Sequence, residues 1–237
     1  MAWVAGVDGC QGGWFVVLKN LNSGETKHRR ICSITTVLDL SENPEHVAVD
    51  IPIGLLDAAI SGGRDCDKAA RRLLGQPRAR SVFSPPVRCA LACDDYRSAN
   101  KANKASSPES VGISIQSFCL RMKLLEVDAW VNSGLQERVK EVHPELSFYE
   151  LNVRRPMGYG KKTPAGLDER RRLLRGAGFG GVISGIGEYS RSDVREDDVL
   201  DACVACWSAA RILKGDAVCI PAKPASDSRG LRMEILR

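Results

Sequence analysis

The stretch that most constrains this chain is its beginning, MAWVAGVDGCQGGW, where an apolar run over residues 3–7 delivers Asp8 into a glycine-rich turn. A second apolar run, residues 15–18, starts almost at once. Glycine reverses a chain without steric cost, so Gly9, Gly12 and Gly13 between two strand-like runs predict a hairpin. Asp8 then stands at the carboxyl end of a buried strand, where open α/β sheets gather ligands and chemistry. An aspartate in such a turn also serves simply to bond nearby backbone amides, so Asp8 alone decides nothing. Its weight comes from other acids that end apolar elements further along.

The next of these lies in EHVAVDIPIGL, after a more polar run at 27–34 that suits the third strand of a meander. Val47, Ala48 and Val49 form an apolar run that ends at Asp50 and is broken by Pro52, the mark of a central parallel strand buried on both faces. Parallel neighbours lie about 4.8 Å apart, so two such strands side by side bring Asp8 and Asp50 to one cation. Residues 64–74 read as a helix on which Asp67 and Arg71 share a face at i, i+4, either as substrate contacts or as a surface salt bridge. Ser114 is expected to cap one long amphipathic helix whose core face carries Ile115, Phe118, Cys119, Met122, Leu125 and Ala129.

Chemistry is denser in RVKEVHPELSF. Alternation puts Val139, Glu141 and His143 on one strand face, and Pro144 opens a helix at its preferred first position. Glu145, with Glu141 as the alternative, is a candidate acid at this junction, and His143 a candidate substrate contact. Over residues 154–175 eight basic side chains face two acids, a local excess suited to phosphates, with Lys162 and Arg170 as contacts; a solvated helix face is the plainer use. The tract GAGFGGVISGIG lacks the lysine and hydroxyl residue of a phosphate-binding loop and reads as a flexible loop or lid. In REDDVLDACVACWSAARIL, Asp201 follows Asp198 by three residues and Asp197 by four, which puts it on the same helix face as either. A carboxylate facing inward from so apolar a helix is costly unless it is paired or coordinates a metal.

With 237 residues and 43% hydrophobic content the chain can bury one sizeable core. One α/β domain is expected, with a helical insertion at about 57–135. Nine cysteines without zinc-type spacing fit a reducing cytosol, and Cys203 with Cys206 reads as core packing. No run approaches the ~18 apolar residues of a membrane span and no signal-peptide pattern is present, so a soluble, cytoplasmic protein with no membrane partner is expected. The net charge of +5 is too small to argue nucleic-acid binding by itself.

The candidate catalytic set is therefore Asp8, Asp50, Glu145, Asp198 and Asp201, with Asp8, Asp50, Asp198 and Asp201 as metal ligands. Crowded carboxylates repel unless protonated or bound to divalent cations, and Mg2+ or Mn2+ is the natural partner of an all-oxygen site. Two ions about 4 Å apart activate a water and stabilise the leaving oxygen in phosphodiester hydrolysis. Nucleic acid is the partner expected on this reading, with Asp67, Arg71, His143, Lys162 and Arg170 as substrate-binding residues.

The segments VAGVDGCQGGW, VAVDIPIGL, RDCDKAARRLLG, SVFSPP, EVHPELSF and DDVLDA, in this order, resemble the bacterial and archaeal family catalogued as domain-of-unknown-function family 429. The resemblance implies a ribonuclease H-like fold, a mixed sheet made of a three-strand meander plus parallel central strands and flanked by helices, and a predicted nuclease activity. Other members of that fold, Holliday-junction resolvases among them, carry metal-binding acids on the first strand, a central strand and the last helix. Here Asp8, Asp50 and Asp198 with Asp201 occupy those places. Two further readings compete. One is a phosphotransferase or nucleotide hydrolase of the sugar-kinase and actin group, which also places a glycine-rich hairpin after a first-strand aspartate. The other is a non-catalytic binding protein whose acids serve as caps and ion pairs.

Overall fold

The glycine turn closes a hairpin. In the structure, a computed structural model describing residues 2–237, β1 (Trp3–Cys10) and β2 (Gly13–Asn20) pair antiparallel from Trp3↔Asn20 to Cys10↔Gly13. Gly12 takes φ +64°, a conformation that side chains other than glycine's rarely adopt. Along the chain follow β3 (Thr26–Ile31), β4 (His46–Val49), α1 (Asp65–Leu74), α2 (Arg88–Leu91), α3 (Tyr96–Ala105), α4 (Ile115–Cys119), α5 (Arg121–Trp130) and β5 (Val139–Glu141). The remainder is α6 (Pro144–Leu151), α7 (Pro164–Gly176), α8 (Gly180–Ser184), α9 (Glu196–Lys214), β6 (Cys219–Ile220) and β7 (Ile235–Leu236).

Two compact units result: Met1–Ile51 with Arg138–Val218 and Leu236–Arg237, and Pro52–Glu137 with Cys219–Ile235. The first carries a five-stranded sheet in the order β3-β2-β1-β4-β5, in which β1, β4 and β5 run parallel and β2 and β3 complete an antiparallel meander. This α/β arrangement, a mixed sheet flanked by helices, is consistent with a ribonuclease H-like fold. Helix α9 lies across the centre of the sheet, packing on β1, β4 and β2. Ten of its nineteen residues are buried, among them Val199, Leu200, Cys203, Val204 and Cys206. Each such aliphatic side chain contributes roughly 1.5–3 kcal/mol, so this helix and sheet face form the main core.

How closely α9 approaches is set by Gly6. A Cβ built there would lie 2.0 Å from the Cys206 backbone nitrogen and 2.3 Å from the Ala202 carbonyl oxygen. Backbone meets backbone at this point, and no other residue permits it. Residues alternate faces along a strand, so Val4, Gly6 and Asp8 share the α9 side of β1. Ala48 belongs to the same core cluster as Val4, so Asp50, two residues on, extends the α9 side of β4.

The second unit is helical, and it departs from the sequence reading in one respect. The helix expected after Ser114 is two helices, α4 and α5, divided at Leu120. Ser114 does cap the first, its Oγ accepting from Ser117 N at 3.0 Å. The division follows from different partners: Phe118 of α4 stacks edge-on against Tyr96 of α3, whereas Arg121 opens α5 by donating to Leu91 O at the end of α2. Ile115 and Met122, assigned to the core face, are 64% and 65% exposed. The glycine-rich tract over 176–187 is likewise no flexible loop. It forms α8 and a short 3-10 turn, held because Phe179, Val182 and Ile183 recur at helical spacing and bury in the α9 core.

Candidate functional site

Asp8 and Asp50 are delivered by strand register. Val7 and Val49 are the last paired residues of the parallel β1/β4 ladder, and Asp50 N donates to Val7 O at 3.0 Å one step beyond. Both carboxylates therefore leave neighbouring strands at the same height and on the same side. Asp8 Oδ1 also accepts from Gly9 N at 2.8 Å, so the plain turn bond is present and uses one of its two oxygens. Asp198 and Asp201 come from the first two turns of α9, which Gly6 has drawn against β1. Asp201 is buried, and Asp198 closes the helix start by accepting from Arg195 N at 2.9 Å. Asp197 instead lines a neighbouring cavity, so Asp198 is the member of that pair whose charge reaches Asp8.

The four acids share one electrostatic environment. Burial, followed by the charges of Asp50, Asp201 and Asp198, raises the Asp8 carboxyl well above its ordinary range. Burial and then Asp201 push Asp50 up to about 8. Asp198 is raised to about 6, chiefly by burial, and Asp201 is raised by burial against the opposing pull of Lys161. A crowd of acids that resists ionisation to this degree is a place where added positive charge is strongly favoured.

Part of that charge is already supplied by the chain. Lys161 Nζ donates to Asp201 Oδ2 at 2.8 Å, and Asp201, with smaller contributions from Asp8 and Asp50, holds its proton well above the usual lysine range. Glu145, in the first turn of α6, is bonded by Arg170 Nη2. Arg170 is itself 1% exposed, donates to Tyr159 O and Gly166 O, and lies over the Phe148 ring. Glu145 adds to the field at both Asp50 and Asp201, and its Oε2 is buried with no hydrogen-bond partner. Glu141 pairs in register with Val49 and its charge also raises Asp50, ahead of that of Glu145, but Glu145 is the one of the two whose charge reaches Asp201 as well.

The other sequence candidates are more dispersed. His143 caps α6 through its carbonyl, which accepts from Leu146 N and Ser147 N at 2.9 Å each. Lys162 is exposed beside Lys161 and lines the same cavity as Arg195, Glu196 and Asp197. Asp67 and Arg71 belong to the second unit, where they do not pair with each other. Arg64 binds Asp67 at 2.7 Å, and Arg71 donates to Val82 O, Gly62 O and Ser84 Oγ. Lys161 itself was not singled out by sequence reasoning. Its only signal was a lysine pair between a glycine-rich loop and a helix cap, in GYGKKTP.

Among the described residues no three acidic, histidine or cysteine side chains are gathered closely enough to hold an ion as they stand, and Lys161 takes one oxygen of Asp201. The donor set nonetheless fits a hard divalent cation in its chemistry. It is all oxygen, comes from three rigid elements, is mutually repulsive, and has the unsatisfied Glu145 Oε2 beside it. Asp8, Asp50 and Asp201 would be the residues to hold such an ion, with the less buried Asp198 beside them.

Comparison with family models gives a match over residues 6–226 to a family described as protein of unknown function (DUF429). The chain belongs to this family. The match runs from the strand that carries Asp8 through the whole of α9, so all four aspartates fall within the DUF429 region. No curated protein and no solved structure matches the chain. No helix among the described residues is long and apolar enough to cross a membrane.

Proposed function

We propose that this DUF429 protein is a divalent-cation-dependent nuclease that hydrolyses phosphodiester bonds in DNA or RNA. One observation carries the reading: burial raises the carboxyls of Asp8 on β1, Asp50 at the end of β4 and Asp198 and Asp201 on α9, and to burial are added the charges of Asp50, Asp201 and Asp198 at Asp8 and that of Asp201 at Asp50 and Asp198, a grouping that a bound cation would relieve. Bound Mg2+ or Mn2+ supplies activation of a water and stabilisation of the departing oxygen. Asp8 and Asp50 would hold the cation from the sheet, where strand register brings them to the same height, and Asp201 would hold it from the helix. Glu145 is oriented by Arg170 through one oxygen, which leaves Oε2 to take the proton of the attacking water. Lys162 and Arg195, on the exposed wall beside Lys161, meet the phosphate backbone of the polymer.

The test is cleavage of single- and double-stranded DNA and RNA by purified protein with Mg2+ or Mn2+. Asp8→Asn and Asp50→Asn are each expected to lower the rate by about 100-fold or more, the scale of removing a group that acts on the transition state. Cleavage that survives Asp8→Asn rejects the assignment. Turnover of nucleoside triphosphates with polymers left intact moves it to the phosphotransferase reading.

A further inference from the structure

Lys161 stands where the acidic cluster adjoins a cavity of opposite character. Its ammonium is bonded to Asp201 at 2.8 Å on one side. On the other, the same side chain lines a cavity of about 220 Å³ together with Lys162, Leu167, Arg195, Glu196 and Asp197. Glu196 is engaged by Arg171 and Lys161 by Asp201, so Lys162 and Arg195 face the one remaining carboxylate, Asp197, and release of Lys161 would add a third cation. Such a wall suits a phosphate group.

The backbone beneath Lys161 is pinned. Gly158 N and Tyr159 N donate to the Glu169 carboxylate at 3.0 and 3.2 Å, the Tyr159 carbonyl accepts from Arg170, and Gly160 O accepts from Thr163 Oγ1 at 2.8 Å. A Cβ at Gly166 would lie 2.0 Å from Gly160 O, so this loop is seated directly on the first turn of α7. The Lys161 side chain, by contrast, is 40% exposed on a flexible four-carbon stem. It can exchange partners while its own backbone stays in place. An ammonium and a divalent ion repel and cannot both sit on the same Asp201 oxygen.

We propose that Lys161 is an internal counter-ion which a divalent cation displaces from Asp201, and that the released ammonium then joins Lys162 and Arg195 as a phosphate-binding wall, so that cation and phosphate bind with positive coupling. This rests on the metal-site reading above and assigns it a substrate-linked control: the chain holds its own acids neutralised until cation and phosphate arrive together. By linkage, each ligand must tighten the other by the same factor.

The measurement is isothermal titration calorimetry on the full chain with Mg2+ alone, inorganic phosphate alone, and each in the presence of the other. Lys161→Met is expected to bind Mg2+ at least about 10-fold tighter than the unaltered protein and to lose the coupling to phosphate. Lys161→Arg keeps a cation on Asp201, adds a second donor to it, and is expected to bind Mg2+ no better than the unaltered protein, which guards against a methionine variant that fails to fold. Lys162→Ala, which leaves the Arg195 charge beside Asp198 in place, is expected to weaken phosphate several-fold while changing Mg2+ affinity in its absence far less than Lys161→Met does. If the unaltered protein binds Mg2+ and Lys161→Met binds it no tighter, the counter-ion role is wrong and the metal site stands. Absence of coupling in the unaltered protein overturns the phosphate wall. If no variant binds Mg2+, this proposal and the metal-site reading fail together.

Discussion

At the scale of single residues, the acids of this protein divide by what surrounds them. Asp50 is pushed to about 8 by burial and by Asp201. An acid whose pKa is higher in the folded than in the unfolded chain gives stability that is complete below its unfolded value and is lost as pH rises through the folded one. Asp50→Asn is therefore expected to raise the melting temperature of the metal-free protein at pH 8.5 and to leave it unchanged near pH 4, while abolishing cation binding; equal effects at both pH values would remove the argument. Asp227 is the opposite case. Its carboxylate has no exposed surface, is bonded by Arg88, and accepts from Leu55 N at 3.0 Å and from Leu231 N and Arg229 N at 2.9 Å each. Burial works against it, but Arg88 and these amides outweigh burial and hold its pKa below the usual range. Asp227→Asn removes one of the acids that hold Arg88, which keeps Asp128 at 3.0 Å, so a loss of about 1.5–3 kcal/mol, the scale of a hydrogen bond to a charged group, is expected in urea unfolding. The sequence marks Asp227 only as the start of a local turn to the amides of residues 229 and 231, because its other partners, Leu55 N and Arg88, are brought in from 172 and 139 positions away. Asp8, Asp50 and Asp201 were legible because each ends or interrupts an apolar run, which is a local signal.

At the scale of elements, the position of α9 decides whether a site exists at all. Gly6 lets the helix backbone touch the strand, and the contact at Ala202 and Cys206 fixes Asp201 relative to Asp8. Gly6→Ala must move the helix outward or strain the strand, at about 2–3 kcal/mol on the scale of overpacked cores. Because the helix carries two of the four acids, the same substitution is expected to weaken Mg2+ binding measured by calorimetry; a variant that is less stable but binds normally would show that α9 can shift without opening the site. The hairpin, the two central strands and α9 were readable from apolar runs and glycine turns, since each signal lies within the element it specifies. The division of α4 from α5 was not, because it depends on two different packing partners. Nor was the order of α8, whose three apolar anchors are spread through a glycine-rich tract that reads as loop. Lys161 escaped for a related reason: its importance lies in reaching an aspartate forty positions further along the chain.

For the whole molecule, these opposed acids predict the shape of the stability curve. Asp227 contributes stability that is present above the unfolded carboxylate value of about 4 and is lost as pH falls through its lower folded pKa. The cluster behaves in the reverse sense, withdrawing stability between about 4 and the folded values of about 6 for Asp198 and about 8 for Asp50. Melting temperature of the metal-free chain is thus expected to be greatest near pH 5 and to decline toward pH 8.5. A divalent cation binds the ionised cluster and competes with protons for it, so its stabilising effect must grow over the same interval in which the metal-free protein weakens. Thermal melts with and without 10 mM Mg2+ on the order of pH 5 and pH 8.5 separate the outcomes, since ~10 mM lies well above ordinary site affinities. Stabilisation confined to the higher pH ties the cation to these carboxylates; an equal shift at both would place it on groups already ionised at pH 5, away from Asp8 and Asp50.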